Sequence, residues 1–260
     1  MKRLLASRLL WMLLGIFGFA SLLNLAHGGL MRDPRFIAVP HFGGAAVPAW
    51  GDRALVDPVM ARLEALGPIS LLDRAFESQV RGALVDCPVV ASVRAVHRHW
   101  PRRYSVEIIY RRPAVVLMEG GERVPFTWEG VRLPREPYAR ASRGLFVIEG
   151  VREPIPEPGA SIRSEAFLDG VAALRQVAPY LPELRPLGIR LVDVAQPAAV
   201  VFRTRSGVPV IWGRPRARFG ENSVEMKIAY LRSALDRLDV LEGWQIDVRY
   251  SQPFKRATPS

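Results

Sequence analysis

The sequence predicts an α+β protein carried on a single N-terminal transmembrane helix: a compact β-α-α-β-β module, then a mostly antiparallel β domain with two helices. Three observations predict this. A charge-free apolar run from Leu9 to Ala26 opens the chain. Two punctuated helical segments then lead into a pair of alternating segments around Trp100-Pro101. Beyond Pro113, short strand-like runs recur between glycine-marked turns, and helical periodicity interrupts them twice.

Composition bounds the rest. The chain has 260 residues, 49% of them hydrophobic, which excludes a disordered or low-complexity protein. Its 36 Lys+Arg exceed 25 Asp+Glu, for a net charge of +11. Such a balance permits nucleic acid or anionic membrane as partner. The arginines are spread along the chain without a block, however, and read as a basic solvated surface. Lysine occurs only at Lys2, Lys227 and Lys255. The single Cys87 makes no internal disulfide and excludes a cysteine-rich zinc module. No cofactor is expected.

At 1.5 Å per residue the run Leu9–Ala26 spans about 27 Å, close to a bilayer core. Lys2, Arg3 and Arg8 precede it, so the N-terminus stays cytoplasmic and the bulk lies outside. A cleaved signal peptide is the competing reading, since Ala26-His27-Gly28 offers small residues to a peptidase. The run exceeds the usual apolar length of such a peptide, which favours an uncleaved anchor in the cytoplasmic (inner) membrane. This topology argues against a nucleic-acid partner, and in an oxidising compartment the lone thiol of Cys87 is expected to be buried. The expected divisions are a cytoplasmic tail (1–8), membrane helix (9–26), linker (27–34), first module (35–113), β domain (114–252) and tail (253–260).

In the first module, residues 35–39 suit a short strand. Asp57 suits an N-cap, Pro58 a first helical position and Gly67 a stop, with Val59, Leu63 and Leu66 on one face. Asp73 suits the cap of a second helix with Phe76, Val80 and Leu84 inward. Val89–Arg98 and Tyr104–Arg111 form a hairpin. In the second unit the expected strands are Ala114–Met118, Val124–Trp128, Gly144–Glu149, Ala199–Arg205, Pro209–Trp212 and Trp244–Tyr250. Its helices are Ala166–Ala178, capped by Ser164, and Ser223–Leu238, with Asn222 and Glu225 as a capping box.

Catalytic motifs are absent: the chain holds no G-x-S-x-G, H-E-x-x-H, Walker loop or G-x-G-x-x-G. His97 and His99 share a strand face, but neighbouring arginines repel a cation and no third ligand lies near. Cys87 falls where a helix meets a strand, a core position. Glu221 and Glu225 read as helix-terminus charges.

The stretch 88–115, with Trp100-Pro101 and Arg112-Pro113 in place, resembles the hairpin of a POTRA domain, and most of all that of the FtsQ/DivIB family of bacterial division proteins. Ile69-Ser70-Leu71-Leu72-Asp73 resembles the family's link between the two helices. Gly207–Arg214 is similar to its glycine-arginine strand, and Ile246-Asp247-Val248-Arg249-Tyr250 to the strand near its C-terminus. Tyr110 stands where the family has Glu, and Gln252-Pro253 where it has a glycine-containing turn.

The resemblance implies a non-enzymatic scaffold of the division complex at the septum, whose β domain pairs an edge strand with small bitopic partners of the FtsB/FtsL type. The implied partner-binding residues are Asp247, Val248, Arg249, Tyr250 and Ser251; Arg203 and Arg205, on a neighbouring candidate strand, read as solvated surface, with contact to an acidic partner as the alternative. Asp247 and Arg249 are expected to alternate with Val248 and Tyr250, and Pro253, lacking an N–H, to end the pairing. An interior core strand at 246–250 is the alternative. Two other functions stay open: a POTRA-bearing accessory of an export or outer-membrane insertion system, and a membrane-tethered periplasmic enzyme.

Overall fold

The computed structural model describes residues 2–34, 37–43, 46–70, 73, 75–99, 103–196, 199–215, 220–235, 244–251 and 254–256. The chain divides into two compact units, Met1–Ala46 with Val56–Ile109, and Val47–Leu55 with Tyr110–Ser260.

The first unit opens with α1 (Lys2–Arg32). Within it Leu14–Arg32 is long and apolar enough to cross a membrane, and none of it is buried. Phe17 and Leu25 expose 76% and 77% of their surface. Such exposure is costly in water and suits lipid. The elements β1 (Ile37–Ala38), β2 (His41–Phe42), α2 (Asp57–Glu64), β3 (Ile69–Ser70), α3 (Phe76–Val85), β4 (Val90–His99) and β5 (Arg103–Tyr110) follow. β1 pairs with β3 in one small sheet, and β2-β5-β4 form a second.

The helices begin differently from the sequence expectation. Val56, itself helical, precedes α2, so Asp57 lies inside the first turn and caps nothing. Asp73 does act locally, accepting from Ala75 N at 2.7 Å and Gln79 Nε2 at 2.8 Å. Arg62 of α2 donates to the carbonyls of Ala83 (3.2 Å) and Asp86 (3.1 Å), where α3 ends. These are the acceptors a helix end leaves unpaired. Phe76 stacks on Phe42 at 6.2 Å and meets Tyr104 at 4.4 Å with its ring tilted, and Phe42 and Tyr104 lie 6.0 Å apart. Cys87 is buried, as expected. The reversal at Trp100-Pro101-Arg102 lies outside the described residues.

The second unit holds β6 (Val115–Glu119), β7 (Glu122–Phe126), α4 (Arg135–Tyr138), β8 (Phe146–Glu149), α5 (Glu165–Val177), β9 (Leu191–Asp193), β10 (Val200–Arg203), β11 (Pro209–Gly213), α6 (Val224–Leu235), β12 (Trp244–Asp247) and β13 (Phe254–Arg256). The strands form one sheet in the order β13-β12-β11-β10-β9-β8-β6-β7. Three of its pairings are parallel, β6 with β8, β8 with β9 and β11 with β12. Each of these joints has a helix in its crossover, α4 before β8, α5 before β9 and α6 before β12, because parallel neighbours need a long connection. Tyr138 is fully buried, stacks on Trp50 at 6.1 Å and donates to Arg111 O at 2.8 Å. In the core Phe202 meets Trp212 at 5.6 Å and Phe126 meets Phe167 at 5.1 Å.

Ser164 caps α5 as its sequence suggested: Oγ accepts from Phe167 N at 3.2 Å and donates to Glu153 Oε2 at 2.7 Å. That bond, first among the causes, holds the Glu153 carboxyl below its ordinary range. Ser164→Ala should cost about 1 kcal/mol in chemical denaturation near neutral pH. A lowered folded-state pKa adds stability above the unfolded pKa, lost as pH falls through the folded value. The wild type's advantage over Ser164→Ala should therefore shrink on acidification.

Candidate partner-binding edge

The C-terminal edge of the eight-stranded sheet is built by α6, β12 and β13. β12 lies beside β11 in parallel, with Val210 opposite Ile246 and Ile211 opposite Asp247. β13 lies antiparallel on its other side, with Trp244 opposite Arg256 and Ile246 opposite Phe254. Of the two readings the sequence leaves open here, residues 244–247 take the interior one, between β11 and β13, and the strand stops at Asp247. Pairing also resumes beyond Pro253: a missing N–H removes one donor locally, and it does not prevent a strand from starting at Phe254. The edge is β13.

Because the chain turns after Asp247, the expected alternation of residues 247–250 does not form. Asp247 and Val248 are both buried, at 2% and 0% exposure. Asp247 Oδ1 accepts from Arg249 N (3.2 Å) and Nε (2.9 Å), and Oδ2 accepts from Nη2 (2.9 Å). This is an Asx-type turn closed by a bidentate ion pair. The Asp247 bond, ahead of all other causes, holds the Arg249 guanidinium above its already high ordinary value. Arg249 lies 5.2 Å from the centre of the exposed Tyr250 ring, and Ser251 is also exposed.

Arg203 is not on a strand adjacent to β12. It ends β10, with β11 between, and faces Pro209 in register. Since Val210 faces Ile246, Arg203 is level with Gln245, toward the opposite end of β12 from Arg249. Its Nη2 donates to Asp193 Oδ2 at 2.8 Å. Arg205 follows in the turn after β10, exposed, with its N–H on Leu187 O at 3.2 Å. The structure thus places the proposed residues in two groups, not one.

A buried ionic network beneath the edge was not foreseen. Glu221 and Lys227 side chains expose 2% and 4%. Lys227 Nζ donates to Trp212 O at 2.8 Å and Glu221 Oε2 at 3.3 Å, and lies 5.3 Å from the Trp212 ring centre. Glu221, expected as a helix-terminus charge, stands just before α6 and is also a buried partner of Lys227. Ser223, not Asn222, caps α6, accepting from Met226 N at 3.3 Å. Asn222 instead holds the chain after β12: its Nδ2 donates to Val248 O (3.0 Å) and its N to Arg249 O (2.8 Å). One signal was readable. Lys227 stands four residues before Leu231, on the apolar face of α6, in a chain whose only other lysines are Lys2 and Lys255.

On β4, His97 Nε2 lies 3.2 Å from Glu107 Oε1, and His99 Nε2 lies 3.0 Å from Ser105 Oγ. Among the described residues no group of three or more His, Cys, Asp or Glu side chains is placed to hold a metal.

No family model matches the chain. It is 29% identical over 149 residues to the cell division protein FtsQ of Streptomyces griseus, a match spanning 56% of this chain and 65% of that protein. This similarity, modest in degree, supports the FtsQ/DivIB family.

Proposed function

We propose that this protein is a non-enzymatic, membrane-anchored scaffold of the bacterial division complex. Its role in cell division rests on the similarity to FtsQ. In this reading α1 crosses the cytoplasmic membrane with Lys2, Arg3 and Arg8 inside, the two units lie outside, and the protein gathers at the septum. The second unit binds small bitopic division proteins of the FtsB/FtsL type by accepting a strand along β13. The observation that carries this reading is the sheet order, in which β13 has β12 on one side and no described strand on the other. An outer strand offers unpaired N–H and C=O groups to an incoming chain. Tyr250, Ser251 and Arg249 flank the turn into that edge, whereas Asp247 and Val248 support it from below. Arg203 and Arg205 serve a second contact near the other end of β12. The groups with displaced titration fit structural work: Glu153 and Glu225 lie at helix starts, each lowered by local hydrogen bonds, and Arg249 closes a turn.

The test is a chain ending at Ser251, which lacks β13 but keeps the anchor. In cells it should still reach the membrane, while co-purification of the FtsB/FtsL-type partners falls at least tenfold. Arg205→Glu should lower the yield of an acidic partner by a smaller factor. Undiminished co-purification by the shortened chain would remove the edge from the mechanism. A fluorescent fusion on the N-terminus should form a band in dividing cells; a uniform halo would count against the division role.

A further inference from the structure

The end of the apolar helix is tied to the first unit. Ser70 Oγ, on β3, donates to Met31 Sδ in the last turn of α1 at 3.5 Å. Arg8 and Arg32 bracket a stretch of α1 without Asp, Glu, Lys or Arg. At 1.5 Å per residue it rises about 36 Å, more than the hydrocarbon core of about 30 Å and less than the bilayer with its headgroups. Met31, next to Arg32, therefore lies at headgroup level, and Ser70 with it. We propose that the β1–β3 ribbon rests in the surface of the phospholipid bilayer, with Ile37 and Val39 inserted at the boundary between headgroups and acyl chains. This rests on α1 being the membrane anchor and does not depend on the reading given for β13.

The register gives the ribbon its direction. β1 and β3 are antiparallel, with Ile37 opposite Ser70 and Ala38 opposite Ile69. Directly opposed residues project to the same face of a sheet, and successive residues to opposite faces. Ser70 turns its hydroxyl to Met31, so Ile37 belongs to the face on which α1 ends. Ile69 points the other way and is buried. A ribbon at a water-facing surface would pair such a buried face with a polar outer one. Here the outer face carries Ile37, which is exposed, and Val39, 68% exposed. Val39 stays on the Ile37 side, because Pro40 disfavours helical backbone at the residue before it.

The occupant follows from what this face adjoins. Leu30, in the same last turn as Met31, is exposed too, so Leu30, Ile37 and Val39 continue the lipid-facing surface of α1 past its end. Such groups cost free energy in water and gain it at the acyl boundary. Arg32, exposed at the end of α1, brings a guanidinium that suits headgroup phosphates while its stem stays among apolar groups. Lipid is already present at this place, because α1 runs through it, and a protein partner would first have to displace it. The consequence is mechanical. A helix end and a ribbon together give the first unit two points of attachment, which oppose its swivelling about α1.

The test uses full-length protein, one copy per phospholipid nanodisc, as the variants Val39→Cys, Val85→Cys and Leu22→Cys. Val85 is exposed on α3 and Leu22 is exposed on α1, while buried Cys87 stays unreactive and reports folding. With a fluorescent label on each new thiol, lipids spin-labelled near the top of the acyl chain should quench positions 39 and 22 by about half or more and leave position 85 unquenched. A water-soluble maleimide should react with Val39→Cys at least tenfold more slowly than with Val85→Cys. Adding Ile37→Glu should bring the two rates within about threefold, with Cys87 still unreactive. Quenching at position 22 without quenching at 39 would overturn the proposal and leave the anchor standing. Absence of quenching at 22 would overturn both. Slow reaction at 39 without quenching would show that protein and not lipid covers the ribbon, and a rate unmoved by Ile37→Glu would show that the ribbon is not inserted; either overturns the proposal.

Discussion

Lys227→Met will destabilise the second unit by about 3–5 kcal/mol, the usual cost of removing one partner from a buried ion pair. For a unit of this size that lowers the melting temperature by roughly 6–20 °C. Methionine fills the space of the lysine stem and removes only the ammonium. What remains is the Glu221 carboxylate, 2% exposed, and the carbonyl of Trp212, both of which the ammonium satisfied. The ammonium also lies 5.3 Å from the centre of the Trp212 ring, and that contact is lost with the charge. Adding Glu221→Gln should recover more than half of the loss in stability, because no unpaired charge is then buried. The check is thermal unfolding of the wild type, both single variants and the double variant in one detergent. A Lys227→Met protein melting within 2 °C of wild type would mean that water reaches the ammonium.

The sequence reading found the elements whose pattern is local and missed those whose pattern is not. α3 and α5 carry apolar residues at helical spacing, and both were placed within a few residues. Ser164 was identified because an N-cap is decided by one side chain and the N–H three residues on. β1 was read within a longer run, and β2, β3, β9 and β13 were not read as strands, being two or three residues each and held only by partners distant in sequence. No period shows in so short a run. The parallel joints of the large sheet are not legible for a related reason: they come from crossovers through α4, α5 and α6, not from the strands' own residues. At the partner-binding edge, residues 244–250 drew attention correctly as a region. Their roles differ from the expected alternation because Asp247 bonds to the backbone two residues ahead, a turn-forming habit that competes with strand. The burial of Glu221 is not legible in the sequence because it depends on Lys227, six residues away around the start of α6.

Gly213→Ala should reach the same network from the β11 side and cost roughly 2–4 kcal/mol. Gly213 has φ +89°, a conformation that L side chains rarely adopt. A Cβ there would lie 2.7 Å from Glu221 Oε2 and 3.0 Å from Arg249 Cγ, too close for both to remain. Displacing Glu221 separates it from Lys227, and displacing Arg249 opens its bidentate pair with Asp247 at the turn that leads to β13. Gly207→Ala is the matched control: φ is +81° but nothing lies within 4 Å of the added atom, so it should show only the backbone cost of about 1–2 kcal/mol. The two effects can be separated by a double-mutant cycle. Gly213→Ala combined with Lys227→Met should lose less than the sum of the singles, by about 1–3 kcal/mol, since Glu221 has already lost its partner. Gly207→Ala with Lys227→Met should add. If Gly213→Ala costs no more than Gly207→Ala, the carboxylate has room to move and the network does not anchor the edge. If it costs more and also reduces co-purification of the bitopic partners, the ionic network and the binding strand form one mechanical unit, in which a buried lysine beneath the sheet fixes the strand offered at its edge.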